Sequence, residues 1–464
     1  MQSVQEKYGS EALHVEPHGI DPISPNERHG KPRSLFTLWF SANLEFATLT
    51  LGLLAVGVFG LSFWQATTAT VIGIVVGALL MGVLSTFGFK WGVPQLIQSR
   101  AAFGFFGNFF PGILNFVSGI GWYTVNTVLG VYALQYLLPI GFLPDLIIMI
   151  ALQAMISIYG HNLIHSVENW SAAFLAVVFV IVTIYAFPHI NFNVPENMKT
   201  VGIFGGTFAS FILSVGVALS YMMGWMTYTS DYSRYLPENT SKGRAFGYVV
   251  LGNIIPCIWL ELLGIGLSTF RTTIATPTDL IAGILPKPIA VIVMLAIILG
   301  TITANVLNIY SGSMSLLSID VKPVRTIAPK RWIAALLVGI LGGILSYIGF
   351  KTNYYSNYSN FLLVLGYWIS PFIAVVLCDY VFIRHSRSDI SMFYEGSGRF
   401  KAGFWAFLIG FIVSIPFFNQ TMYVGFIAKA HPAIGDLSYY VSFAVAFVLY
   451  FFFNGVQRSK ATSD

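Results

Sequence analysis

Apolar positions in this chain come in long blocks separated by short polar stretches, and no block alternates as a strand would. Twelve such blocks lie at roughly 35–62, 66–89, 109–138, 143–160, 168–187, 203–229, 245–269, 288–318, 332–350, 358–383, 402–418 and 437–454. Each has at least the roughly 17 residues that a helix needs to cross about 30 Å of hydrocarbon. The pattern predicts an all-α polytopic membrane protein of about 12 transmembrane helices. The polar N-terminal 34 residues mix acids with bases and lack a charged, apolar, small-residue succession, so the first block is expected to be retained and not cleaved as a signal peptide.

Composition agrees. The chain is 56% hydrophobic and 9% charged, with a mean hydropathy of +0.74, whereas a soluble domain is about 25% charged. The lipid bilayer is therefore the expected surrounding. Of the 24 basic residues, 19 fall on one side if the N-terminus is cytoplasmic, as short inner loops require. Both termini are then cytoplasmic, and the plasma membrane is the expected location. This asymmetry explains the net charge of +5 without nucleic-acid binding. Cys257 and Cys378 both lie in apolar blocks, which argues against a disulfide framework.

Two blocks carry polar interruptions. The first reads Ser41, Ala42, Asn43, Leu44, Glu45, then Thr48, Thr50 and Gly52; the sixth has Ser214, Gly216 and Ser220, then Met223-Gly224-Trp225-Met226-Thr227-Tyr228-Thr229. Glu45 is the only charged residue between Arg33 and Lys90. An ionisable group at such depth faces a cavity or a partner and marks a substrate or ion site. Breaks five blocks apart are the signature of inverted repeats with discontinuous helices. A five-plus-five bundle with two additional helices follows: a cytoplasmic tail to 34, repeats over 35–187 and 203–383, added helices over 402–454, and a tail over 455–464. Close helix packing is the competing explanation for the small residues.

Several stretches carry a resemblance: Glu16-Pro-His-Gly-Ile-Asp-Pro-Ile, Arg28-His-Gly-Lys-Pro-Arg33, Leu38-Trp-Phe-Ser-Ala-Asn43, Gly92-Val-Pro-Gln-Leu-Ile-Gln-Ser-Arg-Ala-Ala-Phe-Gly104, Gly121-Trp122, Ser230-Asp-Tyr-Ser-Arg-Tyr235 and Ala304-Asn-Val-Leu-Asn-Ile-Tyr-Ser311. Through them the chain resembles the nucleobase:cation symporter family 1, in its bacterial purine-cytosine permease branch. The resemblance implies a LeuT-type fold and import of a nucleobase (cytosine or purine) or related planar heterocycle. It also implies coupling to a proton or sodium ion, with no cofactor. Transport of a vitamin precursor, allantoin or hydantoin, or sensing without transport, is the alternative.

A planar heterocycle needs aromatic faces to stack on and amide or carboxylate groups at its edge. Trp122 and Trp225, each beside Gly in mid-block, are the expected platforms, and the resemblance implies the same, since they match the tryptophans that sandwich the ring in hydantoin-transporting relatives. Asn126 lies one turn beyond Trp122 on its face. Asn305 and Asn308 share a face of the eighth block, and Gly224 would let a ring approach the backbone. Glu45 matches a position where relatives carry Gln or Asn; it would accept from ring N–H groups, or titrate and carry the coupling proton.

For sodium, the resemblance implies backbone carbonyls of Ser41 and Leu44 with hydroxyls on the eighth block. The relatives' hydroxyl positions fall here on Leu299 and Gly300, leaving Thr301 and Thr303 to substitute in a shifted register. Hard cations want oxygen ligands, so proton coupling stands level with sodium.

Other eye-catching residues have plainer readings. Asp231 and Arg234 suit an ion pair or gate, and Arg100 would anchor an amphipathic segment at the inner surface or pair across a closed gate. His161 and His165 beside Glu168 lack a third ligand for a metal, and Glu261 matches no site motif. The tyrosines from Asn353 to Tyr358 suit an outer edge or lid. An enzyme is not indicated: there is no nucleophile elbow, His-Glu-x-x-His or phosphate-cradling loop.

Overall fold

In a computed structural model, residues 19–159, 161–269, 276–319, 331–350, 354–384, 389–394, 399–420 and 422–461 are described. Residues 16–18 of the first motif and Asn353 lie outside them, as do the side chains of His161, His165, Glu168 and the C-terminal stretch from 455. Every one of the twelve apolar blocks is helical. The helices are α1 (Pro32–Asn43), α2 (Phe46–Gly57), α3 (Phe63–Trp91), α4 (Gln95–Phe103), α5 (Phe109–Leu137), α6 (Phe142–Tyr159) and α7 (His161–Ala186). They continue as α8 (Thr207–Met226), α9 (Thr229–Ser233), α10 (Lys242–Leu267), α11 (Lys287–Ile319), α12 (Arg331–Phe350), α13 (Tyr354–Cys378), α14 (Ala402–Ser414) and α15 (Ser438–Ala461).

The first block is one span broken in two. Between α1 and α2 the axis bends by 58°, where Leu44 (φ −79°, ψ 59°) and Glu45 (φ −129°, ψ 162°) leave helical geometry. Backbone groups can be freed at membrane depth only where protein or a cavity satisfies them. The sixth block is interrupted less and later than its sequence suggests. Helix α8 continues through Gly224 and Trp225 and turns only at Thr227 and Tyr228 before α9.

Helix contacts come in matched sets. Helices α1 and α2 pack on α10 as α8 packs on α3; α1 meets α7 as α8 meets α13; α6 meets α11 as α12 meets α5. Two related halves wrapped around each other produce such pairs. Helices α14 and α15 pack on each other and on α13, outside this arrangement. Within the bundle, α2 and α10 touch backbone to backbone. A Cβ on Gly52 would lie 2.0 Å from the Glu261 carbonyl O, and one on Gly264 would lie 2.0 Å from that of Leu49. Small residues give transmembrane helices this close approach.

The end of the bundle that carries α4 and α9 is closed by the chain's own N-terminal segment. Ile23 is buried and its N–H donates to the Gly92 carbonyl. Arg28 donates to the Ile23 and Phe89 carbonyls, and burial lowers the pKa of its guanidinium against the opposing pull of Glu238. Arg234, fully buried, donates to the carbonyls of Gly19 and Asp21 and to the hydroxyls of Tyr235 and Tyr310. Helix α4 is buried on every side, so it does not lie on the inner surface as an amphipathic anchor. Its Arg100 instead donates to the carbonyls of Ser318 and Phe393, tying α4 to the end of α11.

Candidate substrate and ion site

The break in the first span is held by a phenol. Tyr221 of α8 is fully buried, and its hydroxyl lies 2.7 Å from Thr48 Oγ1, 3.0 Å from Asn43 Oδ1 and 3.3 Å from Glu45 Oε1. Thr48 donates to the Asn43 carbonyl, while the Asn43 amide donates to the Trp39 carbonyl and to Asn253 Oδ1 of α10. The side chains that flank the break at Leu44–Glu45 are thus tied to α8 and α10.

Aromatic rings surround this polar knot. Trp122 stands edge-on to Tyr221 (centroids 5.4 Å, 85°), Phe361 (5.3 Å, 83°) and Tyr358 (6.2 Å, 74°). Trp225 stands edge-on to Trp39 (5.6 Å) and Tyr228 (6.4 Å). Each tryptophan keeps 6% of its surface exposed. Gly224 holds the first of them in place: a Cβ there would meet Trp122 Nε1 at 2.8 Å. The structure therefore brings Glu45, Trp122, Gly224 and Trp225 to one locality through Tyr221 and α8. Tyr221 and Phe361 were not singled out from the sequence, Trp39 entered only as part of a motif, and Tyr358, read as an outer edge or lid, stands against Trp122. For Tyr221 a signal existed, since it precedes Gly224 and Trp225 by three and four residues and so shares their face.

The asparagines divide. Asn305 donates to the Tyr123 carbonyl (3.0 Å) and to Thr127 Oγ1 (2.9 Å), and its own Oδ1 accepts from Asn308 (3.1 Å). Thr127 in turn donates to Gln153 of α6. Asn305 is thereby committed to fastening α11 to α5. Asn308 is different: its Oδ1 is buried with no hydrogen-bond partner among the described residues, as is Asn126 Oδ1.

Gly300, not a hydroxyl, faces the Leu44 carbonyl, with 3.6 Å from its Cβ position to that oxygen and to Leu175 Cδ1 and Cδ2. Thr301 Oγ1 points to α5 instead, 2.6 Å from the Cβ position of Gly130, and donates to the Ile298 carbonyl. Thr303 donates to Gly300 O, and the Ser41 carbonyl accepts from Leu44 N–H. The shifted register leaves both hydroxyls on carbonyls of their own helix. Among the described residues no group of three or more His, Cys, Asp and Glu could hold a metal ion.

Residues 22–442 match the family described as "Permease for cytosine/purines, uracil, thiamine, allantoin". The chain belongs to this permease family. A Bacillus subtilis protein provisionally named a purine-cytosine permease is 30% identical, with 95% of this chain and 96% of that protein covered. A purine-cytosine permease of Saccharomyces cerevisiae is 26% identical over 95% of this chain and 85% of its own length. The fold matches that of a nucleobase-cation-symport-1 family transporter solved in a closed conformation with bromovinylhydantoin bound, at a TM-score of 0.73 with 18% identity and coverage of 97% and 96%. The permease thus has the LeuT-type fold, five plus five helices with two added, in agreement with the matched packing pairs.

Proposed function

We propose that this permease is a secondary active transporter that imports a nucleobase, cytosine or a purine, by proton symport with alternating access. The observation that carries the substrate class is the sign of the open hydrogen-bonding positions. Asn126 Oδ1 and Asn308 Oδ1 are buried acceptors awaiting donors, and Glu45 adds a buried carboxylate that Tyr221 links to Trp122. A buried acceptor left unmatched costs about 1–3 kcal/mol, so the fitting ligand presents N–H groups along its edge, as an aminated base does. Trp225 Nε1, a buried donor with no partner among the described residues, suits a ring carbonyl or ring nitrogen. Trp122 and Trp225 supply the faces, Gly224 the close approach, and Asn305 positions Asn308.

Proton coupling is favoured by Gly300, which faces the Leu44 carbonyl without a hydroxyl and has Leu175 beside it. Sodium held by the Ser41 and Leu44 carbonyls with Thr303 is the competing outcome. The repeats span 35–187 and 203–383, the membrane is the cytoplasmic membrane, and both termini face the cytoplasm.

The test is uptake of labelled cytosine, adenine, uracil, hypoxanthine and allantoin by cells lacking their own carriers, with sodium and pH varied. Saturable uptake of one base, lost in Trp122→Ala and Trp225→Ala, is expected. Uptake of none of the five would turn the assignment toward a vitamin precursor or a sensor.

A further inference from the structure

Glu261 of α10 lies outside this site, yet it is fully buried and neither carboxylate oxygen has a hydrogen-bond partner among the described residues. A carboxylate buried without a counter-charge is among the costliest groups a protein interior can hold. Among the described residues no donor, cationic or neutral, lies within hydrogen-bond reach of it. Acids retained at such depth mark ion or proton paths.

Its position supplies the rest of the argument. The Glu261 backbone packs on Gly52 of α2. The next residue, Leu53, lines a cavity of about 520 Å³ with Val56, Glu196, Ser268 and Tyr355 at the end of the bundle opposite α4 and α9. In the other direction, Glu45 precedes Gly52 by seven residues, about 10 Å along a helix. The titratable groups around Glu261 lead the same way. Cys257, one turn inward on α10, has its Sγ 3.9 Å from Met222 Sδ, beside Tyr221. Tyr358 of α13 donates to the Ala47 carbonyl, on the stretch of α2 between Glu45 and Gly52.

We infer that Glu261 is a proton-binding station between the outer cavity and Glu45, loaded from outside and discharged inward in each transport cycle. This rests on the reading of the chain as a proton symporter. A hydronium ion in the cavity gives its proton to the Glu261 carboxylate, forming one O–H bond. That bond breaks when the proton passes to the Glu45 carboxylate, so charge is conserved at every step. Loading happens while water from the cavity reaches the carboxylate; closure of α2 on α10 leaves the acid neutral and dry.

Infrared difference spectra of the full chain in liposomes, taken between acid and alkaline buffer without substrate, test the station directly. One carboxylic C=O band of the wild-type spectrum is expected to be displaced in Glu261→Asp, lost in Glu261→Gln and kept in Glu45→Gln, whereas the band of Glu45 itself behaves the other way. No such band in the wild type, or its survival in Glu261→Gln, would overturn the inference. In the same liposomes Glu261→Gln should keep exchange of labelled base across the membrane but lose accumulation driven by an inward proton gradient; unchanged accumulation would also overturn it. A wild type that moves no base refutes the substrate assignment alone, because the infrared result still decides the fate of Glu261.

Discussion

The Tyr221 hydroxyl has one hydrogen and three acceptors within reach, of which Glu45 Oε1 at 3.3 Å is the farthest and the only carboxylate oxygen. Thr48 already gives its own proton to the Asn43 carbonyl, so the phenol chooses between the side chains of Asn43 and Thr48, which flank the break, and the acid. A change in charge or ligand at Glu45 shifts that choice and is felt at the α1–α2 break. Tyr221→Phe removes the link and leaves Asn43 Oδ1 short of a donor. We expect a loss of about 1–3 kcal/mol in substrate affinity, on the order of tenfold or more, measured by equilibrium binding, with the folded yield maintained. Unaltered affinity would remove Tyr221 from the site.

The contact between α2 and α10 makes a sharper claim about stability. A methyl on Gly52 meets backbone atoms of Glu261 that cannot swing aside, whereas Gly57, at the end of the same helix, has nothing within 4 Å of its Cβ position. Overpacking of this kind costs roughly 1–3 kcal/mol or more, while Gly to Ala in an unobstructed helix is favourable by up to about 1 kcal/mol. Gly52→Ala should lower the unfolding temperature in detergent and Gly57→Ala should hold or raise it. Equal temperatures for the two would contradict the packing.

The paired asparagines separate a fastening from a recognition role. Asn305→Ala loses the bonds to the Tyr123 carbonyl and Thr127, and interhelical hydrogen bonds in membranes contribute roughly 0.6–2 kcal/mol. It should destabilise the protein and also weaken binding, because Asn308 loses its acceptor. Asn308→Ala gives up one hydrogen bond, that to Asn305, against three for Asn305→Ala, so it should lower thermal stability less and weaken binding. Thermal denaturation alongside a binding isotherm resolves the two.

Much of this was legible in the sequence, and the parts that were not have a common cause. Block length and the break at Glu45 depend on the chain's solvent, so the twelve spans and the first discontinuity follow from hydropathy. The position of the second break did not follow: Gly224 looks like a helix breaker, but Trp122 packing on it makes it a contact point inside an intact helix. Asn305 and Asn308 look alike by spacing, and only the partner helix distinguishes them. Arg100 looked like a surface anchor because a charged residue in a nine-residue segment suggests amphipathicity. Burial of the whole of α4 depends on α11 and the 390–393 turn, which lie about 200 residues or more away along the chain.

The last prediction concerns how the end of the bundle covered by the N-terminal segment opens, the cytoplasmic end in the proposed orientation. Arg234 ties α9 to the N-terminal segment through the Gly19 and Asp21 carbonyls and to α11 through Tyr310. A planar guanidinium reaches such a set of acceptors at once; a lysine ammonium on a flexible stem does not. Arg234→Lys should therefore weaken the closed end of the bundle without removing its charge. A cysteine placed at Ser311, buried beside Tyr232, reports the opening, in a background where buried Cys257 and Cys378 are replaced by Ala. Labelling of that cysteine by a membrane-impermeant thiol reagent applied from the cytoplasmic side should be faster in Arg234→Lys than with Arg234 intact, and an excess of transported base should alter both rates. Equal labelling rates would mean that the N-terminal segment covers this end without controlling its opening.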